Sequence, residues 1–398
     1  MPKAKSDEAH IINTRSAKFH LNPVSAHASA EAWLSPYLCR ATLAAKVSVF
    51  RPADIFILEV IMSVQTATSY ENFLNQQTDE TWEQAIKSFL PSIHEVDQTA
   101  TQIWFHFYPL ALLRALQQAE DPAKLAAQLL LQGNYYLKDQ IDHSHAFLYG
   151  HRYWPEVKRV VTERAASFDE SQPKAELQTE IRQLSGRVAS QVRAEESLLV
   201  GITAVALMTL QQVGIEAFRA SSGTIKLDSR VAGKSPEQVL KERARDDSQG
   251  LFGFLKTVDK EWTVTYDEGD KRGRYKMKHQ TDLAYGAALD QSRDWRALDP
   301  RCIEGPIPVE CRSASCGTCW VGVLGGAEKL SDVARLEGKR IKEFGYIDTQ
   351  EPKPLIRLAC QAQISGAVSI VIPPWNGVFG KHLRAQKNAV TQEQEVSG

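Results

Sequence analysis

The chain has 398 residues, 43% hydrophobic and 24% charged, with 47 Lys and Arg against 48 Asp and Glu and a formal net charge of −1. That length accommodates two or three domains, each with its own core. Charges that cancel so nearly leave no electrostatic case for nucleic acid or for a strongly anionic membrane as a partner.

The first residues, to Asn22, are polar and mixed, with no basic stretch leading into an apolar one. Residues 1–25 are therefore expected to be an N-terminal arm without a secretory signal, and the expected location is cytoplasmic and reducing. From Ala26 to Ala220 the pattern is helical. Ala- and Leu-rich segments at 28–49, 53–75, 79–90 and 96–119 are separated by Pro52 and Pro91, with Pro109 interrupting the last. Asp121-Pro122 opens a further segment that Gly133 can close, and helices are predicted over 135–149, 155–168 and 175–193. No period of about 30–45 residues recurs, so 26–220 reads as an all-α irregular helical bundle rather than a repeat array.

Leu198 to Leu210 is apolar on every side, but Gln211, Gln212 and Glu216 end the run. That is short of the ~20 residues that span a bilayer. The prediction is a central bundle helix, no transmembrane segment, and membrane contact that is peripheral at most. Residues 221–258, with Ser221-Ser222-Gly223 and a Ser235-Pro236 helix start, read as a linker carrying one short helix.

Residues 259–380 change character. Alternation over 262–266 and 275–278 around the turn-rich 267–273 predicts a β-hairpin. Thr281-Asp282 can cap a short helix to Leu289, a strand is predicted at 320–324, and Gly325-Gly326 turns the chain. A charged helix over 331–344 is expected to face inward through Val333, Leu336 and Ile341. Strands at 356–361 and 368–372 complete an α+β pattern, a mixed sheet with a helix across it. The polar tail, 381–398, is expected to be disordered.

Four of the six cysteines share one pattern: Cys311, Cys316 and Cys319 in C-x₄-C-x₂-C spacing, then Cys360. Four thiolates are what a [2Fe-2S] cluster requires, because each iron completes its tetrahedron with two protein sulfurs. Ser313, Ala314, Ser315 and Gly317 are small, so the backbone can wrap closely and aim N–H groups at sulfur. Structural zinc fits less well, since Cys360 has neither a second cysteine nor a histidine close by. A disulfide framework is at odds with so long and cysteine-poor a chain. Cys39 reads as a small core hydrophobe and Cys302 as a spare thiol ahead of the motif.

From Asp259 to Gly380, about the last third of the chain, the sequence resembles the plant-type [2Fe-2S] ferredoxin family, in particular bacterial forms with a CRSxxCGTC loop. The resemblance implies a β-grasp-like domain in which Cys311 and Cys316 hold the iron nearer the surface and Cys319 and Cys360 the inner one. It also implies a low potential, on the order of −400 mV. Two segments are longer than is common in the family, from Cys319 to Cys360 and from Asp294 to Ile307. Acidic and basic side chains are equal in number from Asp259 to Gly380, whereas freely diffusing ferredoxins of this family are strongly acidic and steer by charge.

No G-x-G-x-x-G occurs, and the glycines around Lys381 do not make a phosphate loop. A cluster without a hydride-handling cofactor passes single electrons. The expected function is therefore a one-electron carrier whose helical domain docks a redox partner protein or a second copy of the chain, forming a homo-oligomer. The alternative is a ferredoxin-fused metal- or haem-dependent oxidoreductase, for which the helical domain offers Asp142, His143 and His145, with Asp139, His151 and His106 as further ligand types. A third reading makes the cluster a redox sensor. His106, within an aromatic run, reads as a hydrogen-bonded core residue rather than an axial ligand.

Overall fold

The computed structural model describes residues 68–169, 176–247, 249, 260–344 and 353–397. The expected arm, the helix at 28–49, most of that at 53–75, and Cys39 lie outside them.

Local capping chemistry starts many of the helices. Thr68 and Glu71 close a capping box around α1 (Ser69–Asn75), and Thr78 accepts from Thr81 N at the head of α2 (Asp79–Phe89). Pro109 separates α3 (Glu95–Phe107) from α4 (Leu110–Gln118), and Asp121 caps α5 (Pro122–Gln128) with proline in its first turn. A two-residue strand follows, β1 (Gln132–Gly133).

The helix predicted over 135–149 does not form. Two 3-10 turns, Leu137–Gln140 and Tyr149–Tyr153, flank a run of turns instead. A distant carboxylate takes over the donors at the end of this stretch. Asp97 on α3, itself buried, takes the N–H groups of Tyr149 (2.6 Å) and Gly150 (2.7 Å). Those donors are then lost to the carbonyls one turn back that a helix needs.

Regular structure resumes with α6 (Trp154–Ser167), α7 (Leu177–Val192) and α8 (Ser197–Val213). Every residue from Leu198 to Leu210 is buried, so α8 is the central helix the apolar run predicts. Gly214, at φ +80°, breaks it from α9 (Ile215–Ala220). No described helix is long and apolar enough to cross a membrane. Two short helices, α10 (Ser229–Ala232) and α11 (Pro236–Glu242), lead toward the sheet.

The sheet part runs β2 (Glu261–Thr265), β3 (Arg274–Lys278), α12 (Leu283–Ala288), α13 (Trp295–Leu298), β4 (Trp320–Gly325), α14 (Arg335–Phe344), β5 (Ile356–Leu358), β6 (Val368–Val371), β7 (Trp375–Asn376) and α15 (Gly380–Ser397). Five strands form one sheet in the order β3-β2-β6-β4-β5. β2 is antiparallel to β3 and parallel to β6, while β4 is antiparallel to both β6 and β5. Strands β5 and β6 are buried throughout, and β4 at every residue but its last, as strands covered on both faces must be.

The cover on β4 is α3 from the helical part. A Cβ at Gly322 would collide with Ile103, which shows how closely the two elements approach. Other ties cross the same junction. β1 pairs with β7, Trp375 Nε1 donates to Phe107 O (2.6 Å), and Arg243 joins Val96 O (3.0 Å) to Glu268 in the hairpin turn (2.9 and 3.1 Å). Residues from Val64 onward accordingly form one compact unit.

Two expectations for the sheet part need correction. On α14, Ile341 is buried but Leu336 is 46% exposed, and the side chain that does turn inward is Glu337, at 0%. It meets Arg357 of β5, 1% exposed, through two bonds of 2.8 and 2.9 Å, and accepts Leu358 N as well. A charge in an inner position is stable because its partner lies across the fold, where periodicity does not reach. The tail, expected to be disordered, is helical as α15. Its Ala, Gln, Glu and Lys content favours a helix, Leu383 packs against the core, and Arg384 donates to the last carbonyls of α14, at Lys342 and Glu343.

Glu337→Ala leaves the Arg357 guanidinium buried without its carboxylate and is expected to cost about 3–5 kcal/mol in urea unfolding of the full chain. Leu336→Ala, on the exposed side of the same helix, is expected to cost under about 0.5 kcal/mol.

Candidate metal centre

The loop between α13 and β4 carries three of the four cysteines. Arg312, Ala314 and Gly317 adopt positive φ (51°, 59° and 72°), alternating with ordinary residues so that the chain curls on itself. A curl of this kind turns successive N–H groups toward its hollow side, which is where an anion is held. Ser313 N and Ser315 N point at Cys311 Sγ (3.4 and 3.3 Å), and Thr318 N points at Cys316 Sγ (3.5 Å).

Cys360 arrives from far along the chain. β4 and β5 are antiparallel with Trp320 opposite Leu358, so Cys319, just before β4, and Cys360, just after β5, lie at the same end. Ala359 N donates to Cys319 O (2.9 Å), closing that end. The N–H of Ala314, in the middle of the loop, serves the Cys360 sulfur, and Gln361 Nε2 approaches it at 3.6 Å.

The thiols come together two and two. Cys311 and Cys316 are half-buried and hydrogen-bonded to each other, while Cys319 (2% exposed) and Cys360 (7%) form the inner pair. Within each pair one thiol acidifies. Against its burial, hydrogen bonds from Ser315 and Ser313 bring Cys311 down to about 6, and burial pushes Cys316 up. The bond from Cys319 brings Cys360 to about 7, and that shared proton together with burial pushes Cys319 up. In each pair one thiol is thus acidified and its neighbour raised, and both would be thiolates when holding a metal. Two sulfurs per iron, with N–H donors already aimed at them, is the donor set a binuclear iron-sulfur cluster takes.

Cys302 stands outside both pairs. It is buried, its Sγ donates to Pro306 O (3.3 Å), and burial raises its thiol to about 12. Behind the loop, Glu310 accepts from Gln132 Nε2 (2.7 Å) and Thr318 Oγ1 (3.3 Å), and Asn376 of β7 donates to Thr318 O. Nothing in the local sequence marks Asn376 as part of this site, whereas Ala314 belongs to the small-residue loop whose N–H groups were expected to face sulfur.

Residues 297–365 match the family model of the 2Fe-2S iron-sulfur cluster binding domain, a stretch that contains all four cysteines. No curated protein and no solved structure matches the chain. The C-terminal part therefore contains a 2Fe-2S ferredoxin-type domain, its cofactor is a [2Fe-2S] cluster, and electron transfer is the function such a domain supports.

The ligand types of the helical part are engaged elsewhere. Asp142 accepts from Trp154 Nε1 (2.8 Å), Ser221 Oγ (3.1 Å) and Gly223 N (2.9 Å), which pins the irregular segment to the end of α9. His145 and His151 share a hydrogen bond between their Nδ1 atoms (2.9 Å), with the His145 ring 3.9 Å from that of Trp154. His143 and Asp139 are exposed, and His106 is half-buried on α3. Among the described residues, no three His, Cys, Asp or Glu side chains surround a single metal ion; the cysteines occur as the two pairs.

Burial holds His145 well below its ordinary value and brings His151 to about 4. An unfolded chain protonates these rings near pH 6.5 (about the ordinary histidine value) and the folded chain only at lower pH. Their contribution to stability is therefore complete above about pH 6.5 and is lost as pH falls toward 4. Asp97, raised to about 6 by burial, acts in the opposite sense over roughly pH 4–6. His151→Gln is expected to flatten the fall in urea midpoint between pH 7 and pH 5. An unchanged slope would count against the buried neutral pair.

Proposed function

We propose that the protein is a one-electron carrier in which Cys311 and Cys316 hold the outer iron, and Cys319 and Cys360 the inner iron, of a plant-type [2Fe-2S] cluster. The observation that supports this ligand set most directly is the two-and-two meeting of the thiols under inward-turned N–H groups. The sheet supports a β-grasp reading. Counted from β2 to β6, its strands lie in the order second, first, fifth, third, fourth, with the first and fifth parallel.

When bound, the cluster supplies a centre that takes up and releases one electron. The chain's own contribution is to hold the sulfurs and tune them. N–H groups of Ser313, Ser315 and Thr318 offset negative charge on sulfur, which favours the reduced state and raises the potential. Arg312, Ser313 and Ser315 are exposed, so a partner approaches from the side of Cys311 and Cys316, while Ala314, at 1%, shields the inner pair.

On this reading the helical part docks the carrier to a redox partner protein or to a second copy. Balanced charge around the cluster leaves little long-range steering, and Asp142, His145 and His151 are committed to protein partners. Thiolate-held iron suits a reducing, cytoplasmic compartment.

Anaerobic reconstitution of the full chain is expected to give about two irons and two acid-labile sulfides per polypeptide. Cys316→Ser should lose most of the visible absorbance, and Cys302→Ala should keep all of it. A Cys316→Ser protein with an intact spectrum, or a Cys302→Ala protein without one, would overturn the ligand assignment.

A further inference from the structure

Between the helical part and the sheet lies a cavity of about 410 Å³, within the size range of small-molecule sites. Phe107 and Phe147 contribute rings from the helical side, and Tyr266 and Trp295, edge to face at 5.8 Å, contribute them from the sheet side. Aromatic walls of this kind suit a flat conjugated molecule. Each cation of the lining has a carboxylate partner, while Arg293 Nε is a buried donor left without an acceptor. Arg293 is paired with Asp270 (2.7 Å), and Arg301 with Asp299 (2.6 Å). The cavity therefore has no surplus positive charge to select an anion, and a neutral ligand fits it best.

The remaining polar groups describe the ligand's edge. The Tyr108 hydroxyl donates to Gln140 Oε1 (2.5 Å), so Gln140 has its NH₂ left to offer, and His143 stands exposed in the same lining. Both can donate to carbonyl oxygens. A neutral, planar molecule with carbonyl acceptors belongs to the quinone class.

One wall leads to the metal centre. Arg301 Nη1 donates to Asn376 Oδ1 (2.6 Å), and Asn376 Nδ2 donates to the carbonyl of Thr318, one of the two residues between Cys316 and Cys319. Two hydrogen bonds thus connect the cavity to the peptide that joins an outer and an inner cysteine. We infer that the cavity binds a quinone-class molecule and that the hydrogen bonds of Arg301 and Asn376 form the path along which electrons pass between it and the cluster. This rests on the four-cysteine ligand set proposed above.

The reaction balances with no bond change in the protein. A quinone takes up two electrons and two protons to become its quinol. The cluster held by the four cysteines would supply the electrons one at a time, an external one-electron donor protein reducing it again between them, and water would supply the protons. Cys302 also lines the cavity, where a thiolate would add to a quinone ring. Held protonated by burial and donating to Pro306 O, it is kept from doing so.

The test uses the full chain after its iron and sulfide have been measured, with 2-methyl-1,4-naphthoquinone as probe. Equilibrium dialysis against oxidised protein is expected to show one saturable site per chain, and Phe147→Trp, which fills the cavity, to weaken it at least tenfold with the cluster spectrum unchanged. In stopped flow, reoxidation of the reduced cluster by the quinone is expected to slow at least tenfold in Phe147→Trp and in Asn376→Ala. Absence of saturable binding, or a rate unchanged in either variant, would overturn the inference. A chain without iron and sulfide would instead overturn the ligand set, whereas dialysis reports on the cavity in either case.

Discussion

Cys360 reaches the cluster loop because a buried ion pair holds β5 against β4 from behind. Glu337 and Arg357 are almost wholly out of water, and between them they also engage Leu358 N and Ser331 O (2.9 Å). Glu337 directs its hydrogen bonds at Arg357 and Leu358, in the short segment that ends just before Cys360, and Arg357 also reaches Ser331. Such a pair adds little net stability when complete, but it is costly to break. It ties α14, which lies in the long stretch between Cys319 and Cys360, to β5, whose pairing with β4 brings Cys360 to the end where Cys319 lies.

The helical part is bound into the same arrangement. α3 covers β4 where Gly322 leaves room, β1 adds a two-residue ladder to β7, and Arg243 joins Val96 to the hairpin turn through Glu268. β7 in turn carries Asn376, which supports the loop at Thr318. A displacement of the helices would therefore be felt at the cysteines through a short series of hydrogen bonds. The charges at this junction are arranged to cancel locally, as the pairs of Arg243, Arg293 and Arg301 show.

Buried polar groups also shape the bundle itself. Asp97 and Asp142 hold backbone and side-chain donors from segments far away in sequence, and His145 and His151 satisfy one another. The price of burying them is an irregular connection where a helix would otherwise run. Asp97, Asp142, His145 and His151 each find a defined partner there, which ties the connection to the surrounding helices.

What the sequence determined by itself was whatever depends on near neighbours. The cysteine spacing identified the cluster, the alternation around 267–273 identified the hairpin, Asp282 marked the start of α12, and the apolar run from Leu198 identified the central helix. Each of these signals is complete within a few turns of chain. Tertiary structure alone decided how the irregular segment ending at Tyr149 is anchored, that Glu337 rather than Leu336 faces inward, where the helical tail docks, and that Asn376 supports the loop. In each of those cases the deciding partner (Asp97, Arg357, the end of α14, Thr318) lies tens of residues away. Periodicity and propensity weigh a residue against its surroundings along the chain, whereas a hydrogen bond or ion pair across the fold depends on where two segments meet.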